Sequence, residues 1–219
     1  TCSATVTDPD ETLTVSYEWT TGTTILTTGS NIDLSSYTIN PDDVITCTAS
    51  ATDSDGGSSS ESTTKTVDNR TPSVDSITID NTTPFADDTI TCSASVSDED
   101  GESLSPTYEW TIATNVVGSS ATLTLTPSIA SVGDTVTCTA TVEDGYGESD
   151  STTAFATVQN TEPTMGSVSI SPSTATVTDE LTCSASGTDL NDGTLSATYL
   201  WTNDTQSTTL GSSAALQLD

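Results

Sequence analysis

Cysteine and tryptophan recur in this chain with a fixed period. Cys2, Trp19 and Cys47 form one set, Cys92, Trp110 and Cys138 a second, and Cys183 with Trp201 opens a third. The tryptophans stand 91 residues apart each time, and 28 residues separate Trp from the second Cys in both complete sets. A period this long, with this lettering, points to a tandem array of disulfide-pinned β-sandwiches. Arrays of this kind span distance or present surfaces rather than perform chemistry.

The expected boundaries are 1–70, 71–161 and 162–219: a first segment lacking its first strand, a complete one, and a third lacking its last strands. The 219 residues leave room for two or three domains with adequate cores. Only 32% of residues are hydrophobic, and abundant Thr favours strands over helix interiors. No apolar stretch carries a 3.6-residue period long enough for a helix.

Charge narrows the partners. Thirty-two acidic residues face only Lys65 and Arg70, a formal net of −30. Nothing is available to neutralise nucleic-acid phosphates, and an anionic membrane surface would repel such a chain. The balance suits divalent cations, high salt, or solubility at high local density. Five cysteines on strand-like segments suit disulfides and an oxidising, extracellular compartment. Zinc fits poorly, because there is no CxxC pair and no histidine. The chain shows no signal peptide, membrane-spanning segment or lipidation signal. It starts at a cysteine-bearing strand and stops mid-unit, so it reads as a window from a longer exported polypeptide.

The middle unit predicts its strands clearly. Val74, Ile77 and Ile79 mark strand A. Ile90, Cys92, Ala94 and Val96 alternate with Thr and Ser and mark a half-buried strand B. Tyr108, Trp110 and Ile112 mark C, and Ala121, Leu123 and Leu125 mark E. Val136, Cys138, Ala140 and Val142 mark F, and Ala154 to Val158 mark G. Acidic, Gly-containing loops follow strands B and F. Both cysteines and the tryptophan therefore share an inward phase.

That arrangement resembles the immunoglobulin sandwich, in which a B–F disulfide packs on a strand-C tryptophan. The tyrosine expected two residues before the second cysteine is replaced by Ile45 and Val136, so the resemblance is to Ig-like rather than antibody-type domains. It implies the pairs Cys2–Cys47 and Cys92–Cys138, with the partner of Cys183 outside the chain. Each pair closes a loop of about 45 residues, worth on the order of 4 kcal/mol by chain entropy. The segments Thr-Cys-Ser-Ala-Ser (91–95) with Asp-Glu-Asp-Gly (98–101), Tyr-Glu-Trp-Thr (108–111) and Val-Thr-Cys-Thr-Ala (136–140) resemble the Ig-like and PKD-like repeats of large prokaryotic surface proteins. That family implies an extracellular stalk, adhesin or filament component.

The linkers repeat as well: Val67, Asn69 and Pro72 recur as Val158, Asn160 and Pro163. Joins this short, with no Gly/Ser run, predict a semi-rigid rod. In an Ig-like topology the B–C and F–G loops share one end of the sandwich. They would gather Asp98, Asp100, Glu102, Glu143 and Asp144, with Asp68 and Asn69 arriving from the linker. The other segments offer Asp8, Asp10, Asp53 and Asp55, and Asn160, Asp189, Asn191 and Asp192. Such an all-oxygen set suits Ca²⁺ at the junctions; ordinary Asx turns are the competing use of the same residues.

Asn69, Asn81 and Asn203 begin N-glycosylation acceptor triplets, and the Ser/Thr content would also support O-glycans. Catalysis is not expected. Without histidine there is no Ser/His or Cys/His activation, and paired carboxylates lack the aromatic platform a glycosidase needs. Lys65 is expected on an edge strand, guarding against strand pairing. The three tryptophans, with Tyr17, Tyr108 and Tyr199, are expected in cores, while Tyr146 is expected at the surface, covering the linker. The sequence thus points to a non-catalytic segment of an extracellular fibre, filament or stalk whose partners are copies of itself or neighbouring repeats. The alternative is an adhesin-type module recognising a protein or glycan.

Overall fold

The computed structural model describes residues 1–218. Among these, the regular elements are strands and a single short 3-10 turn, as a Thr-rich chain without helical periodicity requires. The chain forms two compact units. One comprises residues 1–73, 96–105 and 142–150; the other comprises 74–95, 106–141 and the residues from 151 onward.

In the first unit, strands β1 (Ser16–Thr21), β2 (Thr24–Thr28), β3 (Val44–Thr52) and β4 (Ser58–Thr66) form an antiparallel sheet of order β2-β1-β3-β4. The two-residue turn from β1 to β2 places Gly22 at φ 52°, a left-handed conformation that glycine adopts without a Cβ penalty. On β3, Ile45, Cys47, Ala49 and Ala51 are buried while the residues between them are not. Trp19 lies directly across from Cys47 in the β1–β3 register. These two, with Cys2 and Ile45, form the core, flanked by Tyr17, Leu26, Ile32, Leu34, Ile39 and Val67. The Tyr17 hydroxyl accepts from Ala4 N at 3.0 Å. β4 is an edge strand, exposed throughout, and carries Lys65 as expected.

Seven further strands follow: β5 (Ser73–Ile79), β6 (Thr89–Ser97), β7 (Thr107–Ile112), β8 (Asn115–Gly118), β9 (Thr122–Thr124), β10 (Thr135–Glu143) and β11 (Ser149–Thr157). They make two sheets, β5-β6-β9 and β11-β10-β7-β8. Cys92 on β6 is bonded to Cys138 on β10, so the disulfide links the two sheets. Around it lies one cluster containing Ile79, Ile90, Trp110, Ile112, Leu123, Leu125, Val136 and Val158. Trp110 is completely buried and opposes Cys138. The strands expected from alternation are present. β8 is an addition: its four residues carry two adjacent valines rather than an alternating pattern.

Strands β12 (Thr164–Ser171), β13 (Glu180–Asp189), β14 (Gly193–Leu195), β15 (Trp201–Asn203), β16 (Thr208–Gly211) and β17 (Ala215–Gln217) complete the described chain. β13 pairs with β12, β14 and β17, and β15 pairs with β16. Here the expected core placement of Trp201 needs correction: unlike Trp19 and Trp110 it is only half-buried, as are Tyr17, Tyr108 and Tyr199. The reason is geometric. β3 covers Trp19 and β10 covers Trp110, whereas among the described residues β15 has only β16 as neighbour. Met165, Val168 and Ile170 on β12 are correspondingly exposed.

The second disulfide joins Cys2 to Cys47, and Cys183 has no disulfide partner among the described residues. Two disulfides indicate an oxidising, non-cytoplasmic location. No helix among the described residues is long and apolar enough to cross a membrane.

Candidate cation site

Most of the chain's aspartates do local work before any ligand is considered. Asp43, Asp88, Asp134 and Asp179 each accept the backbone N–H of the residue three positions earlier: Asn40, Phe85, Ser131 and Thr176, at 2.7–2.9 Å. Asp80 accepts from Thr91 N at 2.8 Å across the β5–β6 edge. Carboxylates are strong acceptors for backbone N–H groups left over at turns.

The Thr91 amide holds the Asp80 carboxyl below its ordinary value of 3.8. A depressed folded-state pKa adds stability above the unfolded value, and that stability is lost as pH falls through the folded value. An NMR titration should therefore place the Asp80 midpoint below 3.8, and Asp80→Asn should remove part of the stability loss seen on acidification below about pH 4.

The expected ligands in the outer segments are mostly consumed in such turns. Asp8 Oδ1 accepts from Asp10 N at 2.8 Å and Glu11 N at 3.1 Å. Asp53 Oδ1 accepts from Gly57 N at 2.6 Å, while Asp10 and Asp55 are exposed. Asp189 Oδ1 accepts from Asn191 N at 2.7 Å and Asp192 N at 3.1 Å. Asn191 Oδ1 in turn accepts the Thr161 N–H and hydroxyl at 2.9 and 2.6 Å. Asn160 donates to Thr161 O. Asp68 forms an exposed ion pair with Lys65, and Glu143 is exposed on β10.

Three carboxylates converge. Asp98, Glu102 and Asp144 each offer an oxygen within 4.8 Å of the other two, the only such group among the described residues. The loop after β6 turns on Asp98, whose Oδ1 accepts from Asp100 N at 2.6 Å. The loop after β10 turns on Asp144, whose Oδ1 accepts from Tyr146 N and Glu148 N, both at 2.9 Å. Its Oδ2 accepts from Asn69 Nδ2 at 2.8 Å. Glu102 Oε1 accepts from Gly145 N at 3.4 Å, and a Cβ at Gly145 would come within 3.3 Å of that oxygen.

No protein-family model matches this chain, and no curated protein matches its sequence. The chemistry of the loops must therefore be read from the loops themselves.

Asp144 is 6% exposed. Burial acts to raise its pKa, but the Asn69 amide and the N–H groups of Glu148, Tyr146 and Gly147 outweigh it and hold the carboxyl below its usual value. Tyr146 shows the opposite effect. Burial, then the charges of Glu102, Asp42, Asp43 and Asp100, push its phenol up. Its hydroxyl donates to Pro41 O at 3.3 Å, so it is an exposed ring anchored at its tip.

Asp100, expected as a ligand, is occupied otherwise. Its Oδ2 accepts from Arg70 N at 2.7 Å, and its Oδ1 lies 3.7 Å from the Arg70 guanidinium, which also approaches Glu99 at 3.4 Å. Asn191 plays the same part toward Thr161. Spacing could reveal the acid in each loop but not which nearby donor captures it. Asn69 is half-buried with its amide nitrogen committed to Asp144, which disfavours it as a glycan acceptor. The Asn81 amide lies 3.4 Å from Asp88, and Asn203 Oδ1 accepts from Thr205 N and Gln206 N.

Proposed function

We propose that this chain is a non-catalytic structural segment of an extracellular fibre, filament or stalk, assembled from tandem Ig-like β-sandwiches. The observation that carries the proposal is repeated wiring. The indole N–H groups of Trp19, Trp110 and Trp201 donate to Gly29, Ser120 and Ser213 carbonyls, each at 2.8 Å. The N–H groups of Cys2, Cys92 and Cys183 donate to Ser30, Ala121 and Ala214 carbonyls, again each at 2.8 Å. The indole donors recur every 91 residues and the other partners at spacings of 90 to 93, and a contact reproduced in this way belongs to a repeated scaffold. The strong acidity supports exposure to solvent at high local density. Copies of the chain, or neighbouring repeats, are the partners this reading assigns.

Electron microscopy of the native full-length polypeptide tests the reading. Extended rods or fibres with regular contacts between copies are expected. Compact particles would overturn it, and isolated rods with a ligand-binding tip would favour an adhesin-type module instead.

A further inference from the structure

The loops carrying Asp98, Glu102 and Asp144 leave a second, independent signature beside their charge. Asn69 Oδ1, Asp98 Oδ2 and Glu102 Oε2 are sealed from solvent and accept no hydrogen bond. In each of these side chains the other polar atom is used, by Asp144, Asp100 N and Gly145 N respectively. The unused oxygens belong to the residues around one carboxylate group. A buried oxygen without a donor keeps its full desolvation cost, and a charged one costs more, so three together call for a compensating positive charge.

The chain does not supply one. Its two basic residues are Lys65 and Arg70. Lys65 binds Asp68, and Arg70 approaches Glu99 and Asp100. The orientation of Asn69 sharpens the point. Its Nδ2 must face the Asp144 carboxylate, because an amide oxygen there would be repelled. Oδ1 is thereby left as a neutral oxygen ligand beside the acids.

We propose that Asp98, Glu102 and Asp144, with the Asn69 amide oxygen, bind one divalent cation, with Ca²⁺ the best match. The donors are all oxygen, three are anionic, and they sit on two loops and a linker that can adjust to the irregular, high-coordination shell Ca²⁺ accepts. No nitrogen or sulfur donor is present to favour a transition metal. The corresponding acids of the first segment, Asp8, Glu11 and Asp53, form no such group among the described residues. Glu11 Oε1 accepts the Ser54 N–H at 2.8 Å, the counterpart of the Gly145 N–H on Glu102, but no buried, unpartnered oxygen accompanies it among the described residues. The proposal does not depend on the fibre reading, since a cation could bind these loops in a protein of any role.

The test uses the full chain, treated with chelator and returned to buffer with about 0.15 M NaCl, where diffuse attraction is screened beyond about 8 Å. Calorimetric titration with CaCl₂ should give saturable binding near one ion per site. Thermal unfolding should shift upward by several degrees as Ca²⁺ rises above its dissociation constant. The near-isosteric pair Asp98→Asn with Glu102→Gln should abolish both responses. Asp8→Asn with Asp53→Asn should leave them intact. The first pair should also raise the melting temperature of the calcium-free protein by relieving repulsion, so a failure to fold would be distinguishable from a loss of binding. No saturable heat and no thermal shift at millimolar Ca²⁺ would overturn the proposal, as would an equal response in the Asp98/Glu102 variant.

Discussion

Trp110→Ala is expected to lower stability by about 3–5 kcal/mol, the range for truncating a fully buried large aromatic. Trp110 is 0% exposed and lies opposite Cys138 within the largest buried cluster. Its removal leaves a cavity beside the disulfide and strips the Ser120 carbonyl of its 2.8 Å partner. Neither can be compensated by the small Ala and Thr side chains on neighbouring strands. Trp201→Ala is the internal control. Its indole makes the same kind of hydrogen bond, to Ser213, but the ring is half-exposed and the transfer term shrinks with the area buried. Chemical denaturation followed by near-ultraviolet circular dichroism should show a large loss for the first variant and a clearly smaller one for the second. Equal losses would mean that the Trp201 ring is as well covered as Trp110.

The second large effect belongs to the disulfides. Cys92 and Cys138 are separated by 46 residues. Cross-linking a loop of that size removes denatured-state entropy worth about 4 kcal/mol at 25 °C. A double Cys92→Ala, Cys138→Ala variant should lose about that amount, adjusted by the packing of the replaced sulfurs. Denaturant midpoints measured against the oxidised parent check the magnitude. A cost below about 1 kcal/mol would show that the hydrophobic cluster holds the sheets together unaided.

Strand phase was the legible part of this fold. Cys138, with Val136, Ala140 and Val142, alternates strictly with threonine, and all four are buried. A period-2 pattern can be satisfied on only one face of a strand. Elements whose existence depends on neighbours were not legible. β8 forms because β7 offers it a hairpin, not because Asn115–Gly118 carries a pattern. Trp201 reads like Trp19 and Trp110 locally, yet its burial is decided by which strand lies opposite. The acidic loops divide in the same way. Their Asp and Glu positions were visible, but Asp100 was captured by the Arg70 backbone, whereas Asp98 and Glu102 each kept one oxygen free. That outcome depends on where the Arg70 N–H points, which residue spacing does not encode.

The disulfides also limit how far the chain can be drawn out. A polypeptide pulled from its ends extends by at most about 3.3–3.6 Å for each residue released. The residues between Cys92 and Cys138 are withheld from that extension even if every strand around them separates, because tension passes through the sulfur bridge instead. With 46 residues of separation, roughly 150 Å of contour stays locked. The loop between Cys2 and Cys47, with a separation of 45, locks nearly as much again. Overstretching would lengthen the chain only by the residues outside the bridges, so each bridged loop could refold from a state whose ends never left each other.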